Sequence, residues 1–103
     1  MNIQKMLKEA QRMQARLAET QAELAGKTVE GSAGGGKVTV TANGSGEVTA
    51  IKIDPQVVDP TDVDFLEGLV LAAVRDAVTK AKDLAGSEME KITGGMGLPG
   101  LGL

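Results

Sequence analysis

The stretch Gly36-Lys37-Val38-Thr39-Val40-Thr41-Ala42-Asn43-Gly44 decides the fold class of this chain. Apolar and polar residues alternate from 37 to 41, and most are β-branched, which is typical of a strand with one buried face. The Asn43-Gly44 pair that follows marks a hairpin turn. The stretch therefore predicts a strand that folds back on a return strand over residues 47–53, with Gly46 allowing a bulge and Asp54-Pro55 ending it.

A third strand is predicted upstream, over residues 27–30, followed by a flexible Gly-Ser-Ala-Gly-Gly-Gly connection over 31–36. The three strands would form one antiparallel sheet. The sequence of residues 31–38 also matches most of the motif of a phosphate-binding P-loop. Val38 stands where that motif needs a Ser or Thr hydroxyl for magnesium, and a strand pattern follows where a helix should begin. We therefore interpret this segment as a loop.

Residues 2–25 predict one long amphipathic helix before the sheet, with Gly26 as its stop. Apolar residues recur with the heptad spacing that allows one helix face to pack against another helix. The positions of this face are Ile3, Met6, Ala10, Met13, Leu17, Thr20 and Leu24. At 1.5 Å per residue the helix would be roughly 35 Å long, which is more than so small a domain can cover.

A second helix is predicted after the sheet, from about Asp59-Pro60 to about Ile92. Asp59 suits the N-cap and Pro60 the first helical position. The apolar arc of this helix is wider than one sheet needs, which indicates a second contact surface. The predicted dimer and packing seam comprises Met6, Met13, Leu17, Leu69, Val70, Ala73 and Ala77. Residues 1–93 would form a single domain, and the Gly-rich segment 94–103 a disordered tail.

Composition also favours a second copy of the chain. The 103 residues include one Phe, no Trp, no Tyr and no Cys. A core without large aromatic side chains buries little apolar area, and without Cys neither disulfides nor thiolate metal sites can compensate. Association into a homodimer is the remaining way to bury more surface.

The distribution of charge matters more than the net charge of −3. Four bases, Lys5, Lys8, Arg12 and Arg16, fall within an arc of about 80° on the first helix, away from its apolar face. Such a row can contact successive phosphates of a polyanion. It is also compatible with an ordinary solvated helix face, which Glu9, Glu19 and Glu23 would favour. The bases of the second helix alternate with acids and are better interpreted as solvated; they are Arg75, Lys80, Lys82 and Lys91.

Several function classes are disfavoured by the sequence. The carboxylates between residues 54 and 64 lack the spacing of an EF-hand and suit turns and helix caps. The chain has no His, Cys or Tyr, and none of its three serines has an adjacent base, so we expect no enzyme, cofactor or metal. The N-terminus does not have the pattern of a secretory signal, and no run of about 18 apolar residues could span a membrane. We expect a cytoplasmic location and no small-molecule substrate.

Taken in order, these segments resemble the YbaB/EbfC family of bacterial nucleoid-associated proteins. The resemblance is carried by residues 6–14 (Met-Leu-Lys-Glu-Ala-Gln-Arg-Met-Gln), the hairpin 36–44, Ile51-Lys-Ile-Asp-Pro55 and the helix 66–81, and it covers residues 3 to about 93. It implies an α+β chain whose sheets and second helices form the body of a homodimer, with long helices projecting like tweezers. It also implies duplex DNA as partner and a location in the nucleoid. The acidic net charge departs from this pattern and implies weak affinity.

Two functions follow as hypotheses. The first is a dimer that binds double-stranded DNA through phosphate contacts from Lys5, Lys8, Arg12 and Arg16, with little sequence specificity. The second is a protein-interaction module, in which the face with Met6 and Met13 captures a partner helix without any direct role for DNA.

Overall fold

A computed structural model describes residues 2–95, which form an α+β fold, as predicted. The elements in chain order are α1 (Ile3–Gly26), β1 (Thr28–Ala33), β2 (Val38–Asn43), β3 (Val48–Ile53), a single turn of 3₁₀ helix (Pro55–Val57) and α2 (Val63–Gly95). Of the predicted tail, Gly94 and Gly95 belong to α2, and residues 96–103 lie outside the described part of the chain.

The first helix forms as the sequence predicts, because a cap and good helix formers coincide. The Asn2 side chain accepts a hydrogen bond from the backbone N–H of Lys5 at 3.2 Å, which satisfies one of the unpaired donors at the helix start. At the other end Gly26 is the last helical residue, and the N–H of Lys27 donates to the Leu24 carbonyl.

The sheet is antiparallel with strand order β1-β2-β3. The predicted first strand was too short, because residues 31–33 are part of β1 and not of the connection. Gly31 lies in the strand where the backbone of α2 passes very close. A Cβ at this position would stand 2.2 Å from the Ala77 nitrogen and 2.5 Å from the Ala73 carbonyl oxygen, so only glycine fits. The remaining glycines, Gly34 to Gly36, have positive φ and turn the chain into β2.

The hairpin between β2 and β3 turns at the predicted Asn-Gly, and the Gly46 N–H donates to the Asn43 carbonyl at 3.0 Å to close the turn. Gly46, with φ of 87°, follows in the left-handed region, where a hairpin loop of three residues has its bulge, as predicted. A second irregularity, which was not predicted, lies further along the hairpin. The register shifts between Thr41 and Ala42, which pair with Ala50 and Val48, so Thr49 is the extra residue. The Thr49 hydroxyl donates to the Thr41 carbonyl across the strands at 3.3 Å.

The second helix begins later than predicted, and Asp62, not Asp59, caps it. The Asp62 carboxylate accepts from the backbone N–H of Phe65 at 3.3 Å. Asp59 instead accepts from both the N–H and the hydroxyl of Thr61, which closes a local turn before the helix. That turn occupies the residues assigned to the first helical positions, so the helix starts only at Val63.

The core lies between α2 and the first two strands. Ala73, Ala77 and Ala81 of α2 are fully buried against alternate residues of β2, namely Val38, Val40 and Ala42. Small side chains on the helix bring its axis close to the sheet, which is consistent with the tight approach at Gly31.

α2 covers β1 and β2 but leaves β3 open. Val48, Ile51 and Ile53 pair with Ala42, Val40 and Val38, so they point to the same face of the sheet as the buried core. Their side chains are nevertheless 41%, 49% and 37% exposed. These three residues, the open face of β3, form an apolar surface that residues 2–95 do not cover.

Candidate nucleic-acid interface

The N-terminal part of α1 projects from the rest of the chain. Only its C-terminal end is packed: Thr20 and Leu24 are buried, as is Ile92 near the end of α2. An ion pair between Lys27 Nζ and Glu88 Oε1 at 3.1 Å joins the end of α1 to α2. Residues 2–12 are all exposed, and the longest dimension of the structure is 71 Å. The helix is therefore anchored at one end and accessible at the other.

The four predicted cations lie on the accessible part of α1, and all are exposed. We call them the α1 basic stripe; it comprises Lys5, Lys8, Arg12 and Arg16. Within residues 2–95 none of them lies within 4.0 Å of a carboxylate oxygen. Glu9, Glu19 and Glu23 therefore do not neutralise them through direct ion pairs. The stripe presents four positive charges along roughly 17 Å of helix.

The bases of α2 are arranged differently. Lys80 forms an ion pair with Asp76 at 3.3 Å, and Lys91 forms one with Glu88 at 3.4 Å. Arg75 and Lys82 are exposed, and neither takes part in an ion pair in the described part of the chain. The α2 helix thus offers two separate free cations, whereas α1 offers a continuous row of four.

The seam residues predicted from periodicity divide into two groups. Ala73 and Ala77 are buried against the sheet of their own chain, and Leu69 and Val70 are half-buried around the same core. On α1, Met13 and Leu17 are half-buried and Met6 is 54% exposed. The open face of β3 was missed by the sequence prediction. The available signal was the presence of three apolar residues on the third strand, because a single helix is too narrow to cover all three strands of the sheet.

Three aspartates, Asp54, Asp59 and Asp76, accept hydrogen bonds from backbone N–H groups and so stabilise turns and packing within the fold. Asp76 accepts from the backbone N–H of Ser32 at 3.0 Å, and this hydrogen bond, with Lys80, lowers the pKa of Asp76. The pKa of Asp54 is lowered by the Gln56 N–H and by Lys37, and that of Asp59 by Thr61. Across residues 2–95 no three His, Cys, Asp or Glu side chains are grouped as metal ligands would be.

Known proteins match nearly the whole chain. A nucleoid-associated protein of Caldanaerobacter subterraneus is 53% identical over 100 residues, which is 97% of this chain and 90% of that protein. Another from Gluconacetobacter diazotrophicus is 48% identical over 98 residues, 95% of this chain and 92% of its own length. The crystal structure of an uncharacterized protein from Helicobacter pylori has the same fold, with a TM-score of 0.80 at 17% identity over 90% of this chain and 98% of that one.

Within the described residues, neither helix is long and apolar enough to cross a membrane. Residues 1–96 match the family described as the YbaB/EbfC DNA-binding family. The order of elements, the accessible α1 basic stripe and these relatives lead to one conclusion: the chain belongs to the YbaB/EbfC DNA-binding family.

Proposed function

We propose that this protein is a nucleoid-associated homodimer that binds duplex DNA through phosphate contacts from the α1 basic stripe. The observation that carries the proposal is the row of four exposed cations, free of ion pairs within residues 2–95, on a helix that projects from the fold. Membership of a DNA-binding family and the names of the relatives support DNA as the polyanion and the nucleoid as the location.

The chemistry of the stripe favours binding with little sequence specificity. Lys and Arg side chains on an exposed helix reach phosphate oxygens, which are the same at every base pair. The single aromatic residue of the chain, Phe65, lies at the start of α2 and not on the stripe. Base stacking, on which single-strand binding depends, therefore has no aromatic side chain available on α1. We infer duplex DNA as the partner.

The open face of β3 supports a second copy of the chain as the other partner. Burying an apolar side chain stabilises a protein by about 1.5–3 kcal/mol relative to leaving it exposed. Ile51 and Ile53 gain this only when something other than residues 2–95 covers them. A homodimer supplies that cover and doubles the α1 basic stripe to eight cations, which offsets the acidic net charge near the DNA.

The test is a salt titration of binding to mixed-sequence duplex. Eight phosphate contacts per dimer give a slope of log K against log salt of about −7. The variant Lys8→Glu with Arg12→Glu should lose detectable binding to mixed-sequence DNA and retain the parent's circular dichroism and sedimentation. Arg75→Glu with Lys82→Glu is the matched control, because it makes the same change in charge on α2 and should bind within a few-fold of the parent.

Two results would refute the assignment to α1. One is undiminished DNA binding by the Lys8/Arg12 variant. The other is an equal loss in both variants, because that would show an effect of total charge and not of the stripe.

A helix-mediated protein-interaction module is the second candidate function. Ile3, Met6 and Leu7 favour it, because 67%, 54% and 58% of these apolar residues are exposed on α1. This function predicts negligible duplex binding at physiological salt. It also predicts a partner whose capture fails with Met13→Asp and survives the reversal of Lys8 and Arg12.

A further inference from the structure

The apolar face of α1 continues beyond the part that α2 covers. Six residues share a strip about 80° wide around the helix; they are Met6, Ala10, Met13, Leu17, Thr20 and Leu24. The last two are buried, the middle two are half-buried, and Met6 and Ala10 are exposed. One continuous face is therefore packed at one end and open at the other, where Ile3 extends it.

The position where α2 ends shows how much of this face is left. The Lys27–Glu88 ion pair joins the end of α1 to α2. Burial continues from this pair toward the C-terminus of α2, at Ile92, and toward the N-terminus of α1, at Leu24 and Thr20, so we infer that the two helices pack antiparallel there. From Glu88 to Gly95 the helix rises about 10 Å, which brings its end to the level of Thr20. From there to Ile3 the α1 helix extends for roughly another 25 Å.

The chain that follows α2 has the length and the composition to cover that distance. Residues 96–103 read Met-Gly-Leu-Pro-Gly-Leu-Gly-Leu, with four large apolar side chains and no charge. Fully extended, eight residues span about 26 Å. The segment is attached where the uncovered part of the face begins, so its high local concentration favours it over a separate molecule.

We propose that residues 96–103 dock along the uncovered apolar face of α1 in the same chain, against Ala10, Met6 and Ile3. The apolar face and the α1 basic stripe point in directions about 120° apart around the helix. The docked segment therefore shields the apolar side of α1 from unwanted contacts and leaves the cations free. This proposal does not depend on DNA binding.

Disulfide trapping tests the docking directly, because the chain contains no Cys of its own. The test protein is the full chain with Ala10→Cys and Leu101→Cys. The matched control is Gln11→Cys with Leu101→Cys: positions 10 and 11 are both exposed and equally far from residue 101 along the chain, but they face directions about 100° apart. Under mild oxidation the first pair should form an intrachain disulfide roughly tenfold faster than the second, because docking raises the effective concentration at one face only.

Equal rates for the two pairs would overturn the proposal. A mixture of the two single variants, Ala10→Cys and Leu101→Cys, identifies which chain supplies the segment. Because each chain in that mixture carries one Cys, a disulfide between positions 10 and 101 can form there only between chains. Formation of that disulfide in the mixture as fast as in the double variant would assign the face to a second copy and would also overturn the proposal.

Hydrogen exchange gives an independent measure of the same contact. The variant Leu98→Asp with Leu101→Asp should exchange the amides of residues 3–12 several-fold faster than the parent, with residues 17–24 unchanged. Unchanged exchange over 3–12 would contradict docking, since an apolar cover that is lost must expose the helix beneath it.

Discussion

Replacing Gly31 with alanine tests the closest packing in the structure. The new methyl group would lie 2.2 Å from the Ala77 nitrogen and 2.5 Å from the Ala73 carbonyl oxygen, and both atoms belong to the backbone. No side chain can rotate to make room. Restoring ordinary van der Waals contact requires α2 to move away from β1 by roughly 1 Å.

The cost of that movement can be worked from the side chains it separates. Ala73, Ala77, Val38 and Val40 are all fully buried between α2 and the sheet. A gap of about 1 Å removes up to half of the dispersion energy across the interface, and overpacked cores typically lose 1–3 kcal/mol. Because the clash is with backbone, we expect a loss of about 3 kcal/mol for Gly31→Ala, at the upper end of that range.

Urea unfolding monitored by circular dichroism measures this loss. Gly86→Ala is the control, because it adds the same methyl group on α2 where nothing lies within 4 Å. There the higher helix propensity of alanine should stabilise the chain by up to about 1 kcal/mol. All variants are compared at one protein concentration, since the stability of the proposed dimer would depend on it. A Gly31→Ala chain as stable as the parent would refute the proposed close approach of α2 to β1.

Two further predictions concern association and pH. If the protein is the proposed homodimer, Ile51→Asp should shift it to monomer in sedimentation, because the substitution places a charge on the open face of β3. Ala50→Asp, on the opposite face of the sheet, should leave the dimer intact. The reverse order would exclude β3 as the interface. The pKa of Glu88 is lowered by hydrogen bonding to Lys27 and by the charges around it, so its ion pair stabilises the fold above the ordinary value of 4.5 and is lost as the pH falls through the lowered pKa. Glu88→Gln should therefore flatten the decline of the urea midpoint below about pH 5, and Glu90→Gln should not.

The parts of the fold that depend on local sequence could be predicted, and those that depend on distant contacts could not. The α1 helix and the β2–β3 hairpin follow from periodicity and an Asn-Gly turn, and both are confirmed. Residues 31–33 were assigned to a loop, because the reason for Gly31 lies in a helix more than 40 residues away. The sequence does not show whether Asp59 or Asp62 is the N-cap of α2. Only the structure shows that Asp59 accepts hydrogen bonds from Thr61 and is therefore not available as the cap.

In the candidate site, too, the features set by local sequence could be predicted and those set by distant contacts could not. Spacing alone places the four cations on one face of α1, and their exposure is confirmed. Which apolar residues are left to face a second copy in the proposed homodimer depends on how far α2 covers the sheet, and this cannot be read from the width of its apolar arc. The assignment of Ala73 and Ala77 to a seam therefore did not separate packing within the chain from packing between chains. Contact between the cations and DNA stays a prediction.

Anchorage at a single end makes α1 a lever. Lys5 lies fifteen residues from Thr20, the first fully packed position, and thus about 22 Å out along the helix axis. A tilt of only 10° about that point displaces the charged tip by roughly 4 Å, a sizeable fraction of the width of a DNA groove. In the proposed complex with DNA, small adjustments at the base of α1, where Lys27 meets Glu88, would let the same four charges follow duplexes of different curvature.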